Sequence, residues 1–223
     1  MAAQSGYGEF YANSRSFPFG ILVANTWHAL AAVTGGDIVA GKLSGVGFFT
    51  GAVCAAAASE ADGGPGLIVR CATAHGLADG DLVLLSRMNN VAHDAPTRVT
   101  TIDTRDLLCH DVQYVAGAGA STGCVRKPAH LQVEAAGKYA AMFRVNATAE
   151  SSAKLFEFMI AVEAAGAENT RCTRSTTATT GELICHGILD LQAGDRVWVM
   201  ARNATNETDI IVSNCNLSIV QVG

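Results

Sequence analysis

Proline and charge are both scarce in this chain: 4 of 223 residues are proline and 16% are charged, against 23 glycines. Aromatic residues make up only 6% although 49% of the chain is hydrophobic, so much of the apolar content is alanine and valine. Low charge with many glycines and threonines fits a β protein with tight turns and surface buried against other subunits. The net charge of −5 argues against a nucleic-acid binder, which needs a basic footprint. No apolar run reaches the roughly 18 residues that suggest a membrane span. The opening residues, MAAQSGYGEFYANSRSFPFG, lack a basic stretch followed by an apolar one, so no signal peptide is expected. Heptads are absent, which speaks against a coiled-coil shaft. Cysteine is the exception to scarcity: seven stand at 54, 71, 109, 124, 172, 185 and 215, an odd number without a C-x-x-C pair. In a chain without an export signal they are expected to be unbridged, mostly buried thiols. A bridge such as Cys71 to Cys124 is the alternative.

What is present reads as strands. From Ile188 to Gly223 an apolar lead-in reaches a Gly194-Asp195 turn, a strand leaves it, a polar loop follows and a last strand ends the sequence. In that strand Cys215, Leu217 and Ile219 point one way while Asn214, Asn216 and Ser218 point the other. Tyr139, Ala141, Phe143 and Val145 share a face in the same manner, as do Phe156, Phe158, Ile160 and Val162. Earlier strands are expected over 16–23, 26–33 and 45–49, with Gly35-Gly36 as a turn. Residues 54–66, CAAAASEADGGPG, read as a junction in which the alanines make at most a short helix. From 67 to about 127, strands at 67–69, 82–85, 97–102, 107–108 and 112–115 recur with turns between them, which is the spacing of a small sandwich or barrel. Residues 171–180 read as a polar loop. The expectation is an all-β chain in which a jelly-roll sandwich, 1–55 with 129–223, is interrupted by a small β-barrel over 56–128, because the first strands are too few to hold a core alone.

Residues that carry chemistry elsewhere have plainer readings here. His75 stands near Asp79 and Asp81, but Asp and Gly make the bend and His75 is expected to cap a strand end. Cys109-His110 and Cys185-His186 place a thiol beside an imidazole, yet neighbours along a strand face opposite sides. Asn203 and Asn206 with Glu207 to Asp209 have some character of a calcium loop, though a solvated loop is the simpler reading. Four Asn-x-Ser/Thr sequons, at Asn146, Asn203, Asn206 and Asn216, are read as incidental. No catalytic, cofactor-binding or metal residue is expected, and the chain is not read as an enzyme. Trp27, Tyr139, Phe143, Phe156, Phe158 and Trp198 are the candidate core or subunit-interface residues, with a sugar-stacking role as the alternative for the two tryptophans. Gly80, Asp81, Gly137, Gly194 and Asp195 are the candidate turn formers.

Four segments carry a resemblance: Gly137-Lys138-Tyr139, Phe158-Met159-Ile160, Leu191-Gln192-Ala193-Gly194-Asp195-Arg196-Val197 and Asn216-Leu217-Ser218-Ile219. Their order and spacing resemble the spine of tumour-necrosis-factor/complement-globular-head-like jelly rolls. Tyr7-Gly8-Glu9-Phe10-Tyr11 followed by Asn25-Thr26-Trp27 resembles the opening strands of the versions in bacteriophage structural proteins. Ala74-His75-Gly76-Leu77, Gly80-Asp81-Leu82-Val83 and Val99-Thr100-Thr101-Ile102-Asp103 resemble small β-barrel modules of phage virion proteins. The sequence departs from that pattern after Asp103. The resemblance implies a homotrimer and a structural role on the virion of a tailed bacteriophage, made in the host cytoplasm. A capsid decoration (cement) protein clamping the major capsid protein on the outer surface of the head is the expected role. A receptor- or carbohydrate-binding tip of a head or tail fibre is the alternative. No cofactor, nucleic acid or membrane partner is expected.

Overall fold

Four nested antiparallel pairs organise the larger part of the chain. The outermost joins β1 (Tyr7–Ala12) to β19 (Ile210–Gln221), and the next joins β12 (His130–Val133) to β18 (Arg196–Asn203). Inside these, β13 (Gly137–Ala149) pairs with β17 (Gly181–Leu191), and β14 (Lys154–Val162) pairs with β16 (Cys172–Thr176). A ribbon of four nested pairs that folds over on itself gives two facing sheets, which is the jelly roll. The first sheet runs β17-β13-β19-β1-β4, with β4 at Val39–Ser44 and β2 (Phe17–Phe19) also on β19. The second runs β15-β14-β18-β12-β5, with β5 at Val46–Phe49 and β15 at Ala165–Gly166; β16 adds to β14, and β3 (His28–Ala29) adds to β18. The computed structural model describes residues 6–12, 17–19, 27–29, 39–49, 53–63, 66–86, 88, 96–115, 123–149, 154–163, 165–176, 181–206 and 210–222. Among these, no helix is long and apolar enough to cross a membrane; a short 3-10 turn lies at Glu168–Thr170.

Period-two alternation fills the space between the sheets. Phe10, Tyr139, Phe143, Phe156, Phe158, Leu217 and Ile219 are fully buried in one cluster. In β19 the alternation changes phase: Ile210 and Val212 are buried, then Cys215, Leu217 and Ile219. The register explains it, because Asn146 pairs with Asn214 while Ala147 pairs with Val212, leaving Ser213 as an extra residue on β19. A bulge of this kind swaps which parity faces the core. The turn before β18 depends on Gly194, whose φ is +94°; Asp195 closes it by accepting the Gln192 N–H at 2.8 Å. An L side chain there takes up a conformation costing about 1–2 kcal/mol. Gly194→Ala is therefore expected to lower stability by about that amount in chemical denaturation, although an added Cβ meets nothing closer than Gln132 Nε2 at 4.0 Å.

The chain divides into two compact units, residues 1–50 with 129–223, and residues 51–128. The second is a closed six-stranded barrel in the order β10-β7-β6-β11-β8-β9. Its strands are β6 (Val53–Ala61), β7 (Gly66–Cys71), β8 (Leu82–Ser86), β9 (Pro96–Thr101), β10 (Asp106–Gln113) and β11 (Cys124–Arg126). Leu67, Val69, Val83, Leu85, Val99, Leu107 and Val125 fill it. Arg70 clasps Asp106 with two bonds of 2.7 and 2.6 Å, and that hydrogen-bonded guanidinium overcomes burial to hold the Asp106 carboxyl below its usual range.

Three sequence expectations are corrected by these pairings. The alanine-rich stretch is no helix: it is β6, paired on both sides by β7 and β11. Helix propensity is a weak preference, and backbone pairing on two sides overrides it. The separate strands expected at 107–108 and 112–115 are one strand, β10, whose register with β7 slips between Cys109 and Gln113. Part of the loop expected at 171–180 is β16, and residues 177–180 lie outside the described residues. So do most of the expected strands at 16–23 and 26–33 and the Gly35-Gly36 turn.

Candidate functional site

The outer face of the first sheet is a surface that the strand register organises. Pairing aligns its outward side chains in rows across the strands. One row is Ile188, Ala140, Val220 and Tyr7; the next is His186, Met142, Ser218 and Glu9. Then come Ile184, Arg144, Asn216 and Tyr11, and last Glu182, Asn146 and Asn214. The face is graded from apolar to polar. At one end Ile188 is 52% exposed, Val220 46% and Met142 40%, and they line a shallow concavity of about 360 Å³. At the other end lies a groove of about 410 Å³ lined by Tyr11, Arg144, Asn146, Glu182, Asn214 and Asn216, with Met142 shared. There Arg144 donates to Glu182 Oε1 from Nε at 3.0 Å and Nη2 at 2.5 Å, and Asn146 Nδ2 donates to Asn214 Oδ1 at 3.0 Å.

The second sheet is different, because the middle of its outer side is buried as well. Trp198 and Met200 on β18 stand opposite Ala161 and Met159 on β14, and all four are buried away from the central cluster. Trp198 donates its indole N–H to the Glu163 carbonyl at 2.6 Å. Glu163 holds a positive φ of 53°, secured where its carboxylate accepts the Arg196 N–H at 2.8 Å. The same face continues into Glu157, opposite Arg202. Glu157 Oε1 accepts from Arg171 Nη2 at 2.7 Å and from Thr173 Oγ1 at 3.3 Å, and its other oxygen pairs with Arg202 Nε. Trp27 lies against both guanidiniums, 4.7 Å from Arg202 and 5.8 Å from Arg171. Burial pushes the Glu157 carboxyl up, and the hydrogen bonds and charges of Arg202 and Arg171 overcome it, so its pKa falls below the usual 4.5. With its charge matched on both sides, this cluster is a structural clasp.

The residues singled out in the sequence are placed as follows. Tyr139, Phe143, Phe156 and Phe158 lie between the sheets, and the Phe143 and Phe158 rings are 5.9 Å apart. Trp198 is buried on the far side of β18, and Trp27 is half-buried with its ring taken by arginines. Tyr139 also donates its hydroxyl to the Ala135 carbonyl at 2.9 Å, two residues before Gly137 opens β13. His75, Asp79 and Asp81 do not converge. His75 is buried, accepting the Leu77 N–H at Nδ1 and reaching the Asp103 carbonyl with Nε2. Asp79 accepts from the Thr101 N–H and hydroxyl, both at 2.7 Å. Asp81 accepts the Ala78 N–H at 3.0 Å beside Gly80, whose φ is +80°, and pairs with Lys127. In each Cys-His neighbour pair the cysteine is buried and the histidine exposed: Cys109 against His110, and Cys185 against His186. Asn203 spends its carboxamide oxygen on the N–H groups of Thr205 and Asn206; Glu207 to Asp209 lie outside the described residues. No cluster of three metal-ligating side chains occurs among the described residues.

The expectation of unbridged thiols is overturned at one place. Cys172 and Cys185 form a disulfide across 13 residues, with their Cα atoms 5.3 Å apart. Sequence reading missed it because it joins strands of different sheets, a proximity that only the fold creates. Cys71, Cys109 and Cys215 are buried; the alternative bridge from Cys71 to Cys124 involves a side chain that lies outside the described ones. Burial pushes the Cys109 and Cys215 thiols up to about 12, which makes them poor nucleophiles. The glutamate clasp and the apolar end of the first sheet were also missed. Their signals were a lone charge in Phe156-Glu157-Phe158-Met159-Ile160 and the failure of alternation in Leu183-Ile184-Cys185.

No family model matches the chain, and neither does any curated protein. Among solved structures it is similar to the Eiger TNF of S. frugiperda, with 14% identity over 72% of this chain and 94% of that one and a TM-score of 0.35. It is also similar to the isomalto-dextranase of Arthrobacter globiformis T6 in complex with panose, with 12% identity over 92% of this chain but 33% of that one and a TM-score of 0.30. Neither likeness decides anything beyond what the strand pairings already show.

Proposed function

We propose that the chain is a structural protein of a tailed-bacteriophage virion, a homotrimeric capsid decoration (cement) protein. It sits on the outer surface of the head, clamps the major capsid protein and is made in the host cytoplasm. The observation that carries self-association is the apolar end of the first sheet's outer face, where Ile188, Val220, Met142 and Tyr7 stand exposed in aligned rows. Contiguous exposed apolar side chains of this kind mark interaction surfaces. The phage setting rests on the sequence resemblances given above. The mechanism is mechanical: each subunit covers its apolar rows in the trimer, and the assembled trimer bridges neighbouring capsid subunits through extended contact. The expected result is a trimer by sedimentation that binds empty capsids and raises their resistance to heat. Ile188→Asp combined with Val220→Asp is expected to dissociate it and to abolish capsid binding while the far-ultraviolet β signal is kept. A wild-type monomer without capsid affinity would sink the proposal.

The polar end of the same face favours a second reading, a receptor- or carbohydrate-binding tip. Its Asn carboxamides, Arg144 and Tyr11 form the kind of donor and acceptor set that holds sugar hydroxyls against a ring. Binding on a glycan array that Asn146→Ala and Asn216→Ala remove, with no affinity for capsids, would select this reading instead.

A further inference from the structure

The first sheet ends in β17, an 11-residue edge strand, and long open edges invite pairing with another chain. Residues 169–174 cover it with three side-chain fastenings. Asn169 Nδ2 donates to the Ile188 carbonyl at 3.2 Å, Arg174 Nη1 donates to the Glu182 carbonyl at 2.5 Å, and the Cys172–Cys185 disulfide lies between them. Two glycines of β17 seat this segment: a Cβ at Gly187 would meet Thr170 Cγ2 at 2.7 Å, and one at Gly181 would collide with Arg174. Backbone groups of a strand alternate sides with each residue. Since the Glu182 and Ile188 carbonyls face away from β13, those of Ile184 and His186 do so too. Among the described residues, neither accepts a hydrogen bond.

We infer that the Cys172–Cys185 disulfide is a redox lock on this edge, and that its reduction frees β17 to pair antiparallel with β17 of a second copy. Toward β17 the two outer fastenings are exposed hydrogen bonds, each worth on the order of 1 kcal/mol, and the disulfide is the covalent one; the pairing of β16 with β14 and the Arg171–Glu157 ion pair hold the segment to the second sheet in either redox state. The reductant is a dithiol. Its thiolate attacks the sulfur of Cys172, the half-buried partner, and fully buried Cys185 leaves as a thiolate that takes up a proton. The second thiol of the reductant then releases Cys172 and closes a cyclic disulfide, so two electrons and two protons pass to the protein. Like charge disfavours one register of the pairing. Centring the twofold on Ile184 sets Glu182 of each copy opposite His186 of the other, whereas centring it on His186 would oppose Glu182 to Asp190.

Sedimentation velocity with and without dithiothreitol tests this, with the mass of the oxidised protein as baseline. The reduced protein and an untreated Cys172→Ser/Cys185→Ser variant are both expected to double in mass as concentration rises. The Ile184 and His186 amides, which face away from β13, are expected to exchange more slowly once paired, while β13, β19 and the β14–β16 pair stay protected. His186→Pro removes an N–H that faces away from β13, and in the reduced protein it is expected to return the mass to the baseline. An unchanged mass on reduction overturns the inference. So does a doubling that His186→Pro leaves intact, or a reduced protein whose β13 and β19 amides lose protection.

Discussion

Phe158→Ala is expected to lower the stability of the sandwich by about 3–5 kcal/mol, the usual cost of deleting a phenylalanine from a packed core. The position favours a value in the upper part of that range. Phe158 is completely buried between the two sheets, with Phe143 of the opposite sheet 5.9 Å away between ring centres. Its strand is held on both edges, by β18 and β16, so the backbone has little freedom to collapse into the void. Chemical denaturation followed by tryptophan fluorescence measures the loss. Both tryptophans, Trp27 and Trp198, belong to the sandwich, so the signal reports this unit rather than the barrel. Phe158→Leu, which keeps most of the volume, is expected to cost less than half as much. Equal losses for the two variants would show that the site is not packed as described.

Glu157→Gln is the second large effect, expected to cost about 3 kcal/mol at neutral pH. It removes the charge that Arg202 and Arg171 share while keeping the shape. Breaking a buried ion pair on one side leaves a charge without compensation, which costs roughly 3–5 kcal/mol. The lower end applies because Arg171 has 35% of its side chain exposed and can rehydrate, while that of Arg202 is only 18% exposed. The loss depends on pH with a definite sign. The folded pKa of Glu157 lies below its ordinary value of 4.5, so the ionised form is favoured by folding. Its contribution is present in full above that value and is lost as pH falls through the folded pKa. The difference between wild type and Glu157→Gln is therefore expected to be greatest at neutral pH and to shrink steadily below about 4.5. Urea denaturation of both proteins across that range would check it, and a pH-independent difference would refute the assignment. Replacing all three charged residues with leucine is expected to recover most of the loss.

Local signals reached the backbone and the core well. Period two in Tyr139 to Val145 and in Cys215 to Ile219 marked the faces that the sandwich buries, because a half-buried strand must alternate. Gly194-Asp195 and Gly80-Asp81 were legible as turns for an equally local reason: a positive φ wants glycine, and the aspartate bonds its own bend. The errors have local causes too. Ala55 to Ala58 satisfied helix propensity as well as strand geometry, and only pairing with β7 and β11 decided between them. The slip in register inside β10 hid one strand as two.

The candidate surfaces were less legible, since they are built from residues far apart in the chain. Ile188, Ala140, Val220 and Tyr7 form one row only after four strands are put in register. Glu157 looked like a stray charge in an apolar run until Arg202, 45 residues on, came opposite to it. The disulfide is the clearest case. Seven scattered cysteines gave no pairing rule, and Cys172 meets Cys185 because β16 belongs to one sheet and β17 to the other.

By itself, the amino-acid sequence determined that the described residues are almost all β, which faces of the alternating sandwich strands point inward, and where the Gly80 and Gly194 turns fall. Those are consequences of side-chain alternation and backbone freedom, which act over a few residues. Tertiary structure alone decided which cysteines join, which charge clasps which, and that one sheet presents an apolar-to-polar face while the middle of the other is buried on both sides. These depend on register and on sheet-to-sheet packing, and no local pattern carries either.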